Sequence, residues 1–222
     1  WTRTSQLMFG QDTIATVSEY FSNGTHRVLV KGPGRGSSSR ILSQSDVMSF
    51  LCKHLEHELV QPTVRLTLEE LGMVVGQKNM VCLRPKDIAL TGFRKLLSQQ
   101  WTRSKITRSS KGGSWDLSAL PILDASDRVI GTLSQSDMRG MTKCHLKELL
   151  LPVMEYRKAM GSIHNSQVVV EPTTTLSVAI QKIVKEDVHR AWIVDDGVLV
   201  GVVSMTDVLS RFSPYDFTFL PY

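Results

Sequence analysis

One phrase closes three separate segments of this 222-residue chain: Ser43-Gln44-Ser45-Asp46, Ser134-Gln135-Ser136-Asp137 and Ser204-Met205-Thr206-Asp207. Each follows a β-branched or leucine-rich run (Arg40 to Leu42, Val129 to Leu133, Val200 to Val203) and precedes an apolar stretch with helical spacing. A strand–hydroxyl–carboxylate–helix unit used three times constrains the fold more than any single residue does. The aspartates lie 91 and then 70 residues apart, so the longer interval must hold an insertion of 21 residues.

The third unit shows the full order. Val168 to Val170 reads as a strand stopped by Glu171-Pro172, and Leu176, Ala179, Ile180, Ile183 and Val184 share one helix face. Ala191 to Val194 and Val198 to Val203 are strands joined by a hairpin turn at Asp195-Asp196-Gly197. A helix follows from about Thr206 to Phe212, giving β-α-β-β-α. In the second unit Met80 to Leu83 is the opening strand, and a helix passes through Ile88, Leu90, Phe93 and Leu96-Leu97. The insertion occupies 98–117, the hairpin strands are Leu120 to Leu123 and Val129 to Leu133, and a helix begins near Ser136. The first unit has a weakly marked strand near Leu7 to Phe9, a helix carrying Ile14, Val17 and Phe21, then Arg27 to Val30. A Gly/Ser loop, Lys31 to Arg40, leads to Ile41-Leu42 and a helix through Val47, Phe50 and Leu51. The expected class is α/β, with repeats at 1–58, 73–152 and 153–222 and a linker at 59–72. A unit of this size leaves a sheet face and two helices to be covered, so it must pack on a partner. Units two and three can pair; the first then needs a missing upstream repeat or a homodimer. The start at Trp1 rather than Met reads as a trimmed piece of a longer protein.

Composition narrows the function classes. The net charge is +5, but residues 31–40 and 98–117 each carry an excess of three cations, leaving the remainder near neutral. Basicity confined to two Gly/Ser-rich loops disfavours nucleic acid, which needs a basic face on an ordered surface. No apolar run reaches the roughly 18 residues of a membrane span, and no targeting segment opens the chain. Cys52, Cys82 and Cys144 suit neither a disulfide framework nor a metal pattern, which places the chain in a reducing, intracellular compartment. Cys52, His54, His57 and Glu58 are better read as a solvated helix end than as metal ligands. No Walker loop occurs, and no nucleophilic triad can be assembled, so no catalytic residue is assigned.

The repeated phrase sits where a strand ends and a helix begins, with unpaired N–H groups and a positive dipole end facing outward. Such an end suits a phosphate, with the hydroxyls of Ser134, Ser136, Ser204 and Thr206 as added donors. A carboxylate in the first turn (Asp46, Asp137, Asp207) can accept both hydroxyls of a ribose. The plainer reading is a helix capping box, for which Asp is a short partner. Two units also begin their second strand with His-Arg, His26-Arg27 and His189-Arg190, suited to phosphate oxygens.

With His26-Arg27 in one repeat, Ser118-Ala119-Leu120-Pro121 in the next, Val188-His189-Arg190 in the last and the linker Leu68-Glu69-Glu70-Leu71-Gly72, the chain resembles a known family. The repeats are similar to cystathionine-β-synthase (CBS) motifs, and their order resembles the γ regulatory subunit of AMP-activated and SNF1-related kinases, in its plant γ-like form. The resemblance implies tandem CBS repeats paired into Bateman modules, here the second to fourth of four. It implies adenine-nucleotide ligands (AMP, ADP or ATP), no cofactor, and kinase α and β subunits as partners. Asp137 and Asp207 would hold ribose, and His26, Arg27, His189 and Arg190 phosphate. Ser118 and Ala119 would line a base or phosphate pocket. The chain departs from the energy-sensing animal subunits at Ser45-Asp46, where those have Lys-Arg, which removes positive charge from the phosphate region. A scaffold with no nucleotide, or a regulatory module for another effector domain, are the other readings. Phosphorylation at Ser109 or Ser110, and docking of the insertion through Trp101 and Trp115, are weaker expectations.

Overall fold

A computed structural model describes residues 7–9, 12–32, 38–76, 80–103, 118–161 and 167–213. The expectations at Ser109, Ser110 and Trp115 lie outside the described residues, as does the side chain of Trp101. Two compact units divide the chain: one comprises 1–71, 173–191 and 203–222, the other 72–172 and 192–202.

The first unit opens with β1 (Leu7–Phe9), α1 (Ile14–Ser22), β2 (Arg27–Lys31), β3 (Ser39–Ser43) and α2 (Gln44–Lys53). β1 runs parallel to β2, with Leu7 opposite Leu29, and α1 is the crossover between them. β3 returns antiparallel, pairing Val28 with Leu42. The weakly marked opening strand therefore forms where the sequence places it. Thr13 starts α1 by accepting the N–H of Thr16, and Val17 and Phe21 bury its inner face. After the short α3 (Gln61–Val64), the unit takes up α6 (Leu176–Lys185) and α7 (Met205–Ser210) of the third repeat. α1 packs on α7, and α2 on both α6 and α7. Val47, Met48 and Leu51 are buried here with Ile180, Ile183, Val208 and Leu209. The helices of the first repeat thus have a partner within the chain, contrary to expectation, because the third repeat lends its own. The sheet of the first repeat still leaves Ile41 67% exposed.

The second unit is built on α4 (Ala89–Arg103), β4 (Ala119–Leu123), β5 (Val129–Ser134) and α5 (Val153–Ala159). β4 and β5 pair antiparallel from Ala119–Ser134 to Leu123–Val129. Leu83, Phe93, Leu96, Leu120, Ile122, Leu133 and Tyr156 form its core, and the rings of Phe93 and Tyr156 meet edge to face at 5.5 Å. The opening strand predicted at Met80 to Leu83 is corrected to a single parallel bridge, Leu83 to Ile122. Arg84 N–H turns instead to the Asp87 carboxylate, which ends the ladder ahead of Pro85. The helix predicted near Ser136 is a short 3-10 turn, Gln135–Met138. Gly140, at φ +76°, breaks it, and a 3-10 helix at Lys143–Leu150 follows.

The third repeat supplies β6 (Val169–Val170), β7 (Arg190–Asp195) and β8 (Val198–Ser204) in one sheet. β6 is parallel to β7. The turn between β7 and β8 has Asp196 at φ 47° and Gly197 at φ 81°, the two positive values of a type I′ hairpin. Trp192 and Leu199 of this hairpin pack with Leu123, and the Trp192 indole N–H donates to Thr132 Oγ1 at 2.9 Å. Its helices therefore belong to one unit and the middle of its hairpin to the other.

Candidate functional site

The three repeated phrases form one hydrogen-bond pattern, drawn three times. Ser43 donates its backbone N–H (2.8 Å) and hydroxyl (2.6 Å) to Asp46 Oδ2. Ser134 does the same to Asp137 Oδ2 at 2.6 and 3.1 Å, and Ser204 to Asp207 Oδ2 at 2.9 and 2.6 Å. Each serine is the N-cap and each aspartate the third residue of a capping box. The helices begin where they do because these pairs satisfy N–H groups that would otherwise be orphaned, worth about 1 kcal/mol each.

A second bond recurs beside each box. Gln44 N–H donates to the carbonyl of His26 at 3.2 Å, Gln135 to Ser118 at 3.0 Å, and Met205 to His189 at 3.0 Å. Within every repeat the residue just before β2, β4 or β7 is therefore stitched to the N-terminus of the following helix. This places His26-Arg27 beside Asp46, Ser118-Ala119 beside Asp137, and His189-Arg190 beside Asp207. His26, Arg27, Asp46, His189, Arg190, Ser204, Thr206 and Asp207 lie in the first unit; Ser118, Ala119, Ser134, Ser136 and Asp137 lie in the second. His26, Arg27, Asp46, His189 and Ser136 are exposed, while Ser118, Ser134, Asp137, Arg190 and Asp207 are half-buried. Ala119 is 1% exposed and belongs to the core of its repeat, and Ser204 and Thr206 are also buried.

The carboxylates differ electrostatically. The Ser43 hydroxyl, then its N–H, hold Asp46 below the usual carboxylate range. Burial pushes Asp207 up, against the bonds from Ser204 and the charges of Arg211 and Arg190. In Asp46 and Asp207 the box uses Oδ2, and Oδ1 takes no hydrogen bond among the described residues. A carboxylate has about four acceptor sites, so each can cap its helix and still accept a hydroxyl from a ligand.

Gln44 is a residue the sequence reading passed over. Its amide Nε2 donates to Thr206 Oγ1 at 3.1 Å and to the Thr25 carbonyl at 3.3 Å, and Oε1 lies 3.2 Å from His26 Nδ1. Next to it Ser45 Oγ approaches Met205 Sδ at 3.8 Å. The N-terminal ends of α2 and α7 thus face each other, joining the first repeat's site residues to the third's. The Cys52–Glu58 segment shows local bonding: His54 Nδ1 meets the Phe50 carbonyl at 2.8 Å and its ring stacks on Phe50 at 4.1 Å.

Residues 159–214 match the CBS domain family. Over 86% of its length the chain is 27% identical to the SNF1-related protein kinase regulatory subunit gamma-like PV42a of Arabidopsis thaliana. Over 89% of its length it is 24% identical to Protein SDS23 of Yarrowia lipolytica. The chain spans 58% and 44% of those two relatives. An uncharacterized conserved protein from Pyrococcus horikoshii has the same fold, with a TM-score of 0.64 at 16% identity, covering 95% of this chain and 80% of that one. The chain thus resembles a γ-like regulatory subunit of an SNF1-related kinase in sequence, and its architecture is of the expected α/β class. Among the described residues, no helix is long and apolar enough to cross a membrane.

Proposed function

We propose that this CBS-domain protein is a non-catalytic regulatory subunit of a SNF1-related or AMP-activated type kinase that binds adenine nucleotide at its repeated helix N-termini. One observation carries the proposal: in the first unit, two His-Arg strand starts lie beside two capped aspartates whose Oδ1 atoms take no hydrogen bond among the described residues. Cations and helix N-termini suit phosphates, and the carboxylates suit ribose hydroxyls. Arg27, His26, Arg190 and His189 are assigned to phosphate, and Asp46, Asp137 and Asp207 to ribose. Ser118, Ala119, Ser134, Ser136, Ser204 and Thr206 are assigned to the helix-end and base contacts. The names of the plant relatives support the kinase context. Partners are then the kinase catalytic and β subunits, inside the cell, in cytoplasm or nucleus. Regulation follows if nucleotide binds one arrangement of the repeats more tightly than another.

A second reading, an interaction scaffold that no longer senses nucleotide, is favoured by Thr206, whose hydroxyl is already bonded to Gln44. Calorimetric titration with AMP, ADP and ATP separates the two. Saturable binding by the wild type, lost in Arg27→Ala and Arg190→Ala, supports sensing; no heat from any nucleotide supports the scaffold. Co-purification with the catalytic and β subunits then tests the kinase assignment.

A further inference from the structure

Gln44 is 6% exposed, and Thr206, its partner on the third repeat, is 4% exposed. A buried amide must satisfy both its ends, and here each bond fixes the next. The Thr25 carbonyl can only accept, so Nε2 must face it. Thr206 Oγ1 then takes the other Nε2 proton. Oε1 is left toward the His26 ring, so His26 Nδ1 must be the donor across the 3.2 Å contact. The Gln44 backbone N–H donates to the His26 carbonyl as well.

From this geometry we infer that Gln44 is a positioning residue that ties the cationic strand start of the first repeat to the N-terminus of α7 in the third, so that a ligand held at one is felt at the other. The inference rests on the nucleotide-binding reading for its consequence, but its physical link stands on the bonds alone. A ligand that draws His26 toward its phosphate pulls on Oε1 and, through the rigid amide, on Thr206 and the first turn of α7. Gln135, the twin of Gln44 in the second repeat, is exposed and makes only the backbone bond to Ser118 among these contacts.

The test uses the full chain as wild type, Gln44→Met, Thr206→Val and the double variant. Methionine keeps the length and apolar volume of glutamine but removes every side-chain bond. In the imidazole nitrogen NMR spectrum, wild-type His26 should show Nδ1 protonated. Thr206→Val should shift its nitrogens, and Gln44→Met should abolish both the signature and that response. By calorimetry, AMP affinity should fall roughly tenfold in Gln44→Met, the equivalent of one lost hydrogen bond. In the double variant the His26 signals should match those of Gln44→Met. Unchanged affinity in Gln44→Met, His26 signals that differ between Gln44→Met and the double variant, or His26 signals indifferent to Thr206→Val would overturn the inference. If the wild type binds no nucleotide, the functional reading fails, and the spectrum alone decides: a His26 response to Thr206→Val supports the link and its absence refutes it.

Discussion

Asp46 and Asp207 occupy the same position in the same capping box, yet their surroundings give them opposite proton linkage. Asp46 is held low by Ser43, so its folded pKa lies below the unfolded value of 3.8. Its contribution is complete above that value and is lost as pH falls through the folded one. Asp207 is raised by burial, so its contribution is complete below 3.8 and is lost as pH rises through its folded value. Urea unfolding across the acid range should therefore show the stability gap between wild type and Asp46→Asn closing as pH falls. The gap for Asp207→Asn should instead narrow as pH rises, and parallel behaviour of the two would contradict this account. Tyr156, whose hydroxyl donates to the Asp137 carbonyl at 2.9 Å, is pushed up to about 12, first by burial and then by the Asp137 charge. Tyr156→Phe should cost about 1 kcal/mol, measured by denaturant titration, since it removes one hydrogen bond and leaves the carbonyl without it. The capping role of Ser43, Ser134 and Ser204 was legible from spacing, because a box acts within four residues. The burial of Gln44 was not, since the phrases around Gln44 and Gln135 are identical and only Gln44 meets Thr206.

Two elements set by local chemistry formed as the sequence reading expected. The β7–β8 hairpin is announced by Asp196-Gly197, and α6 by its apolar face. The correction at Ser136 has a local cause too, in Gly140, but Met80 to Leu83 shrank to one bridge for a reason no alternation pattern carries. β8 has a further neighbour that only the fold supplies. Val74 bridges Gly201, and Val75 and Gly76 donate to the Val200 carbonyl at 3.0 and 2.9 Å. A Cβ at Gly201 would sit 2.6 Å from the Met73 carbonyl oxygen, a backbone atom that cannot swing aside. Gly201→Ala should therefore cost roughly 1–3 kcal/mol, the range of other overpacking changes. Thermal or urea denaturation measures it, and a neutral result would mean that the segment at 73–76 does not lie against β8.

At the scale of the whole molecule, the third repeat contributes to both compact units, and β7 and β8 run through each. Shared strands make cooperative unfolding the expectation. Phe21→Ala, in the buried face of α1, should cost about 3–5 kcal/mol. Hydrogen exchange should show the amides of β5, in the other unit, losing protection by the same amount; unchanged β5 protection would mean the units unfold separately. The amino-acid sequence by itself determined three strand–cap units, two of them continued by a helix, with their hairpins and their serine–aspartate boxes, because turn, cap and periodicity rules act between residues a few positions apart. Only the tertiary structure decided that the helices of the first repeat rest on those of the third, that Trp192 bonds Thr132, and that Gln44 rather than Gln135 is buried. Each of those outcomes depends on which distant segment arrives to exclude water, and no local pattern encodes that arrival.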